Sequence, residues 1–175
     1  MNDDRLAFAG RVWVFGNEIN TDDMYPGFAM KLPIAEGARH MFHATRPDWP
    51  QLVRPGDIVV GGRNFGLGSS RPVALLFQEL GVRCLLAEEF NSLFLRNCIN
   101  YGLAALTVPG ITGQVTDGDT VDVDVAAGTV RDRRTGQELQ SPPIPEFLLR
   151  ILRSGGLIAQ LERDGHLTTS TERSA

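Results

Sequence analysis

The sequence predicts a single α/β domain, and two observations carry this prediction. Between residues 57 and 108, short apolar runs alternate with helix-like segments, an order typical of a parallel sheet. From 119 to 132, valines alternate with polar residues on either side of Ala-Gly, which indicates an antiparallel hairpin with one solvent-facing side. A chain of 175 residues is long enough for one domain with its own core.

Strands are expected where a short apolar or β-branched run lies between turn signals. RVWVF, at 11–15, is the first such run. The other expected strands are 57–60, 82–87, 103–108 and the two arms of the hairpin at 119–132. Because helix-like segments separate the runs between 57 and 108, those three strands are expected to lie parallel in one layer.

Helices are expected in the two intervals between these parallel strands. VALLFQEL, at 73–80, precedes Gly81, which suits the end of a helix. The segment 91–102 begins at an Asn-Ser cap and ends at a glycine. Both intervals therefore have the start and stop signals of a crossover helix.

The flanking regions carry weaker signals. Residues 28–54 predict irregular structure with a short helix around 36–44, and two short amphipathic helices are expected around Gly155-Gly156. The last residues predict a frayed tail. We therefore expect one domain over 1–165 and a disordered tail over 166–175.

Composition and charge exclude several classes of function. The net charge of −4 argues against a nucleic-acid-binding protein. No run approaches the roughly 18 apolar residues of a membrane helix, and the acidic start MNDDRLAFAG lacks the order of a signal peptide. A cytoplasmic location is therefore expected. Cys84 and Cys98 lie in apolar or helical context without metal-ligand spacing, so buried thiols are expected.

NFGLGSSRP, at 64–72, places two glycines, two serines and an arginine just before an apolar run. Three interpretations compete: a tight connection, an anion-binding loop, or a catalytic serine beside a carboxylate substrate. A P-loop, a dinucleotide-binding fingerprint and a hydrolase nucleophile elbow each fail at one residue, respectively Leu67, Arg71 and Pro72.

The chemistry of this stretch is compatible with an anion site. Gly66 and Gly68 permit positive φ and close backbone approach. Ser69 or Ser70 is expected to cap the following helix, with Pro72 in its first turn. The helix N-terminus and the arginine beside it would both favour a carboxylate. A tight strand-to-helix turn with exposed serines is the alternative.

NTDDMYPG, at 20–27, is the second polar stretch of interest. Thr21, Asp22 and Asp23 are residues that commonly form turns. A carboxylate from this turn would serve as an orienting or proton-relay group if it lay near Ser69. Whether the two stretches meet is left open by the sequence.

Three motifs resemble, in order and spacing, the small subunits of 3-isopropylmalate dehydratase. They are RVWVFGNEINTDDMYPG at 11–27, PGDIVVGGRNFGLGSSR at 55–71 and FLRNCINYGL at 94–103. GGLIAQL near the C-terminus is similar to the end of the short form of this subunit. The resemblance extends from residue 11 to about 163 and implies the swivelling β/β/α three-layer domain of the aconitase family.

The resemblance also implies an activity and a partner. The reaction would be reversible dehydration and rehydration that interconverts 2-isopropylmalate and 3-isopropylmalate in leucine biosynthesis. A large subunit would carry a [4Fe-4S] cluster as a Lewis acid. Such a cluster takes three cysteines in this family, whereas this chain has two cysteines in all. The chain is therefore expected to hold no metal and to need the partner.

Residue roles follow from the same resemblance. Ser69 would be the base that removes a carbon-bound proton, and Asp22 would lie beside it. Ser70 and Arg71 would bind a substrate carboxylate. Thr21 and Asn64 would shape the site. The loop that chooses the variable group of the substrate would be Phe28, Ala29, Met30 and Lys31.

Departures from the family pattern keep alternatives open. Pro72 stands where relatives usually have glutamate, and Leu67 where cysteine is common. Phe28 and Met30 suit an alkyl group, whereas an inward Lys31 would favour the extra carboxylate of homoaconitate. Dimethylmalate and methylmalate are further candidate substrates. A regulatory or anion-binding module that lost its catalytic chemistry is the alternative from another class.

Overall fold

The computed structural model describes residues 6–167 of the chain. Seven strands form one sheet in the order β4-β3-β2-β1-β5-β6-β7. They are β1 Ala7–Val14, β2 Ile58–Gly61, β3 Cys84–Ala87, β4 Ala104–Thr107, β5 Thr120–Asp124, β6 Thr129–Asp132 and β7 Glu138–Gln140. The predicted parallel layer is confirmed, because β1 to β4 pair in parallel.

The helices are short. The α-helices are α1 Thr21–Met24, α2 Ile34–Ala38, α3 Trp49–Leu52, α4 Val73–Glu79, α5 Ser92–Asn100, α6 Glu146–Ser154 and α7 Leu157–Arg163, with 3-10 turns at Gly27–Lys31 and Ile111–Gly113. Both crossover helices and both C-terminal helices lie where the sequence predicts them. No helix within residues 6–167 is long and apolar enough to cross a membrane.

The inner parallel strands, β2 and β3, are apolar throughout because both of their faces are covered. Every residue of β2 and β3 is buried. Val59 and Leu85 point toward one core, which they share with the helices, and Val60 and Leu86 point toward the other. This alternation explains why short, continuous apolar runs were the right signal for these strands.

The antiparallel strands cover the second face. Val121 and Val130 pack in the same buried cluster as Val60 and Leu86. The sheet therefore turns back over itself, while α2, α3 and α4 pack with Val59 and Leu85 on its other side, which confirms the β/β/α arrangement. The predicted antiparallel hairpin is confirmed by the pairing of β5 with β6, and β5 also pairs along β1, so the hairpin continues the sheet.

Four details differ from the sequence expectations. β1 begins at Ala7, earlier than expected, and β7 was not predicted. Residues 28–54 contain a 3-10 turn and two α-helices, and the helix expected around 36–44 instead spans Ile34–Ala38. Burial of Phe42 and Trp49 in the helical core organises this segment without a local periodic pattern. Most of the predicted tail, 168–175, lies outside the described residues.

Candidate functional site

The two polar stretches lie side by side because the pairing of β1 with β2 continues beyond both strands. Glu18 N–H donates to the Arg63 carbonyl (2.7 Å), and Thr21 N–H donates to the Leu67 carbonyl (2.8 Å). A hydrogen bond in the opposite direction joins Gly66 N–H to the Ile19 carbonyl (2.8 Å). Backbone pairing therefore places the acidic turn at 20–27 beside the glycine-rich turn at 64–72. The sequence had left open whether these two stretches meet.

Gly68 is a position where the two stretches are in close contact. Its φ is +105°, and a Cβ there would lie 2.5 Å from Oδ1 of Asn20. That same Oδ1 accepts the N–H of Asp22 (2.8 Å) and caps α1. Glycine is needed here both for its conformation and for the space that the asparagine cap occupies.

Ser69, Asp22 and Arg71 form a hydrogen-bonded triangle on this surface. The Ser69 hydroxyl donates to Oδ1 of Asp22 (3.4 Å) and accepts from Nε of Arg71 (3.2 Å). Arg71 also forms an ion pair with Asp22, with 2.7 Å between Nη2 and Oδ1. The three groups from the two motifs are thus in direct contact.

Further hydrogen bonds fix the side chain of Arg71 and the backbone of Ser69. Arg71 donates through Nη1 to the carbonyl of Tyr25, and its side chain is only 17% exposed. The buried Thr21 donates its hydroxyl to the Ser69 carbonyl (2.8 Å). Asp22, at 60% exposure, is the most accessible charge of the group. The cation is therefore fixed while the carboxylate faces solvent.

The prediction that a serine caps α4 is wrong. The N-cap position is Pro72, and no side chain caps this helix. Pro72 has φ −76° and ψ 51°, and Val73 N–H donates to the Arg71 carbonyl (2.7 Å), which is the geometry of an inverse γ-turn. Neither serine hydroxyl caps the helix: that of Ser69 contacts Asp22 and Arg71, and that of Ser70 accepts from Asn97.

Asn97 is a site residue for which the sequence analysis assigned no role. Its Nδ2 donates to the hydroxyl of Ser70 (3.1 Å), and it lines the same cleft as the glycine-rich turn. The motif FLRNCINYGL contained it, but the spacing gave no sign that its side chain reaches residue 70. That contact depends on how α5 packs across the loop.

The four loop residues differ in exposure. Phe28 is 53% and Met30 44% exposed, Lys31 is also exposed, and Ala29 is fully buried. The loop starts three residues after Tyr25, which holds Arg71. Phe28 also contacts the edges of two imidazoles, His40 at 5.1 Å and His43 at 5.4 Å between ring centroids.

Asn64 contributes through its backbone. It adopts a left-handed conformation with φ 51° and lies outside the residues that line the cleft. Asparagine tolerates this conformation better than most residues with a Cβ. It turns the chain between β2 and Gly66, so its influence on the serine is indirect.

Neither cysteine is placed to ligate a metal. Cys84 and Cys98 are both fully buried, and burial raises the pKa of each thiol well above its usual range. A protonated thiol is a poor metal ligand. Within residues 6–167 there is also no group of three or more His, Cys, Asp or Glu side chains arranged for a metal ion.

Comparison with known proteins identifies relatives over nearly the whole chain. Residues 36–110 match the family model of the aconitase C-terminal domain. The chain is similar to the 3-isopropylmalate dehydratase small subunit 1 of Methanopyrus kandleri, with 41% identity over 92% of this chain and 96% of the relative. It is also similar to the methanogen homoaconitase small subunit of Methanothermobacter thermautotrophicus, with 42% identity over 85% of this chain and 87% of the relative.

A solved structure has the same fold. The crystal structure of a 3-isopropylmalate dehydratase from Methanocaldococcus jannaschii superposes with a TM-score of 0.85 at 28% identity. The match covers 91% of this chain and 96% of that one. The β/β/α arrangement is therefore shared with this relative along almost its entire length.

Proposed function

This chain belongs to the family of 3-isopropylmalate dehydratase small subunits, as its sequence motifs predicted, and we propose that it completes the active site of a two-chain hydro-lyase. The pair would interconvert 2-isopropylmalate and 3-isopropylmalate in leucine biosynthesis, in the cytoplasm. The observation that carries this proposal is the contact of Ser69 with both Asp22 and Arg71 on one surface.

Ser69 is assigned as the base. A serine hydroxyl is a weak nucleophile and base until it is activated. The adjacent Arg71 favours the ionised form and Asp22 opposes it, so their exposures decide the balance. Water screens the exposed Asp22 more than the mostly buried Arg71. The local field therefore favours the alkoxide, while Asp22 orients the hydroxyl before ionisation.

The reaction then balances as an elimination and its reverse. Ser69 takes the carbon-bound proton, the C–H electron pair forms the alkene, and hydroxide leaves from the neighbouring carbon. Returning the proton and hydroxide with exchanged positions gives the isomer. This chain contributes the proton transfer, and the geometry of its serine and arginine fixes which carbon faces the base.

Ser70 and Arg71 are assigned to a substrate carboxylate. Arg71 has five N–H donors, and the contacts to Ser69, Asp22 and Tyr25 use three of them. Donors are therefore left for a ligand. Thr21 holds the Ser69 backbone, and Asn64 shapes the turn from outside the cleft.

The [4Fe-4S] cluster is assigned to a large subunit. The thiols of Cys84 and Cys98 are buried, so they do not fit a cluster site in this chain. A cluster in the partner would supply a Lewis acid for the departing hydroxyl. The name "small subunit" of the relatives supports a partner of this kind.

The exposed loop supports an alkyl-bearing substrate. Phe28 and Met30 present exposed apolar side chains in the loop that follows Tyr25, the residue that holds Arg71, and such side chains suit an isopropyl group. Lys31 is exposed as well, and a homoaconitase small subunit is among the relatives, so homoaconitate is the second candidate. The intact triangle argues against a module that has lost its chemistry.

The test is anaerobic co-expression with the neighbouring large-subunit candidate, followed by an assay of alkene formation. The substrates would be 2-isopropylmalate, 3-isopropylmalate, homocitrate, homoisocitrate, dimethylmalate and methylmalate. We expect turnover of the isopropylmalates by the pair and by neither chain alone. A stable complex that turns over none of these substrates would contradict the proposal.

A further inference from the structure

Helix α5 contacts the glycine-rich turn at two points on one face. A Cβ on Gly66 would lie 2.2 Å from the ring of Phe94, so the turn and the helix are in close contact there. One helical turn later, Asn97 donates its amide N–H to the hydroxyl of Ser70 (3.1 Å). Residues three apart share a helix face, so the packing of Phe94 aims Asn97 at the serine.

The direction of this hydrogen bond matters. A serine hydroxyl has one hydrogen to donate and two lone pairs to accept with. Asn97 uses a lone pair of Ser70, so the hydroxyl hydrogen stays available for a carboxylate oxygen in the cleft. We propose that Asn97 is a positioning residue that holds Ser70 as a hydrogen-bond donor toward the substrate carboxylate. This inference rests on the proposed function of Ser70.

Ser70 depends on this contact more than its neighbour depends on any single partner. Ser69 is fixed by Asp22, Arg71 and Thr21 together. Ser70 is exposed, so without the amide its side chain would exchange among staggered rotamers. Ordering the hydroxyl before substrate arrives reduces the cost of binding.

Two substitutions separate positioning from mere packing. Asn97→Ala removes the donor, and we expect KM to rise roughly 2- to 10-fold with kcat unchanged, because an ordinary hydrogen bond is lost. Asn97→Asp can only accept, so the Ser70 hydrogen turns toward it and away from the substrate. We expect KM to rise about 10- to 100-fold, the loss of a hydrogen bond to a charged group.

A double-mutant cycle with Ser70→Ala is the decisive experiment, carried out on the assembled two-chain enzyme. If Asn97 acts through Ser70, adding Asn97→Ala to Ser70→Ala leaves KM unchanged. Gln78→Ala is the matched control. It also removes a side-chain amide donor that ties α4 to the end of α5, at the Tyr101 carbonyl (2.8 Å), and we expect no change in KM.

The outcomes are distinguishable. Wild-type turnover with additive effects of the two substitutions overturns the role of Asn97 and leaves the proposed function intact. A wild-type pair without turnover on any substrate overturns both. If an Asn97 variant fails to fold, the side-chain amide signals of Asn97 in the ¹H–¹⁵N spectrum of the full chain decide. They should shift in Ser70→Ala and stay in Ser69→Ala, and no shift in Ser70→Ala overturns the proposal.

Discussion

Two arginine–aspartate pairs flank β2 and have the same 2.7 Å separation but opposite exposure. Asp57 directly precedes the strand and pairs with Arg11, and its carboxylate side chain is 7% exposed. Arg71 lies in the turn after the strand and pairs with Asp22, and there the arginine is the buried partner. The two pairs differ in which charge is kept from water.

The buried carboxylate is fully engaged. Asp57 accepts from Arg11 through two nitrogens (2.7 and 3.3 Å), from Nε1 of Trp13 (2.7 Å) and from the backbone N–H of Arg54 (2.9 Å). Burial alone would raise its pKa, but these hydrogen bonds outweigh burial and hold the pKa below its usual value. A carboxylate with this many donors stabilises the fold and has little capacity for a ligand.

In the pair of Arg71 and Asp22, the carboxylate is exposed and has few donors. Asp22 meets both Ser69 and Arg71 through the same oxygen, Oδ1, and most of its side chain faces solvent. An exposed ion pair adds little to stability. Equal ion-pair distances therefore do not imply equal roles. The Asp57 carboxylate is saturated with donors, whereas the pair of Asp22 and Arg71 has a fixed cation beside an accessible hydroxyl, as the proposed chemistry requires.

The largest effect is expected at the hydroxyl within the exposed pair. Ser69→Ala removes the proposed base, and kcat should fall about 10³-fold, equivalent to about 4 kcal/mol, with complex formation unchanged. Steady-state kinetics and size-exclusion chromatography of the two-chain enzyme measure this. Near-full activity of Ser69→Ala would show that the hydroxyl beside Arg71 and Asp22 has no chemical role.

The next largest effect is expected at the buried carboxylate. Asp57→Asn should lower the free energy of unfolding by about 2 to 3 kcal/mol, because the buried carboxylate loses its charge-assisted hydrogen bonds to Arg11. Denaturant titration measures this, and kcat of the folded enzyme should not change. Asp122→Asn is the control, since its bidentate pair with Arg133 is exposed and should contribute about 0.5 kcal/mol or less.

A smaller effect is expected from exchanging the arginines for lysine. Arg71→Lys should raise KM and lower kcat, a combined loss of about 10- to 30-fold in kcat/KM, because a point charge replaces a fork. Arg11→Lys should lower Tm without altering kcat/KM. If both variants lost activity equally, the distinction between the two pairs would be wrong.

The smallest effect is expected in the pH dependence of stability. Because the pKa of Asp57 is lowered by folding, its stabilisation is present above the ordinary value of 3.8 and is lost as pH falls through the folded pKa. The Tm difference between the wild type and Asp57→Asn should therefore narrow as pH drops below about 4. A Tm difference that stayed constant down to pH ~2 would contradict this.

Much of the fold could be predicted because its signals are local. The buried parallel strands read as apolar runs, and α5 begins at the predicted asparagine, whose Oδ1 accepts from Leu93 N–H (3.2 Å). β7 could not be predicted, because its three residues are held by pairing with β6 and have no apolar run of their own. Residues 28–54 owe their shape to burial of their own Phe42 and Trp49 in a core that segments distant in sequence complete.

The site, like the fold, could be predicted only where its signals are local in the sequence. Residue types at 69, 71 and 22 pointed to a serine beside a carboxylate and an arginine, and family resemblance supplied their roles. Their contact depends on pairing between segments far apart in sequence, which no local pattern encodes. The capping prediction failed because a serine before an apolar run is also compatible with an inverse γ-turn at Pro72.

The position of β1 in the sheet bears on how the chain acquires its structure during synthesis. Val12 pairs with Ile58, but Phe8 must wait for Val123, and the core beneath the parallel strands also needs the valines of β5 and β6. Non-local pairing of this kind slows folding. A nascent chain that has left the ribosome as far as Arg71 therefore has every residue of the triangle and no completed core to hold them. The triangle can become stably ordered only after the ribosome has synthesised β5 and β6, through Val130, because their valines complete this core.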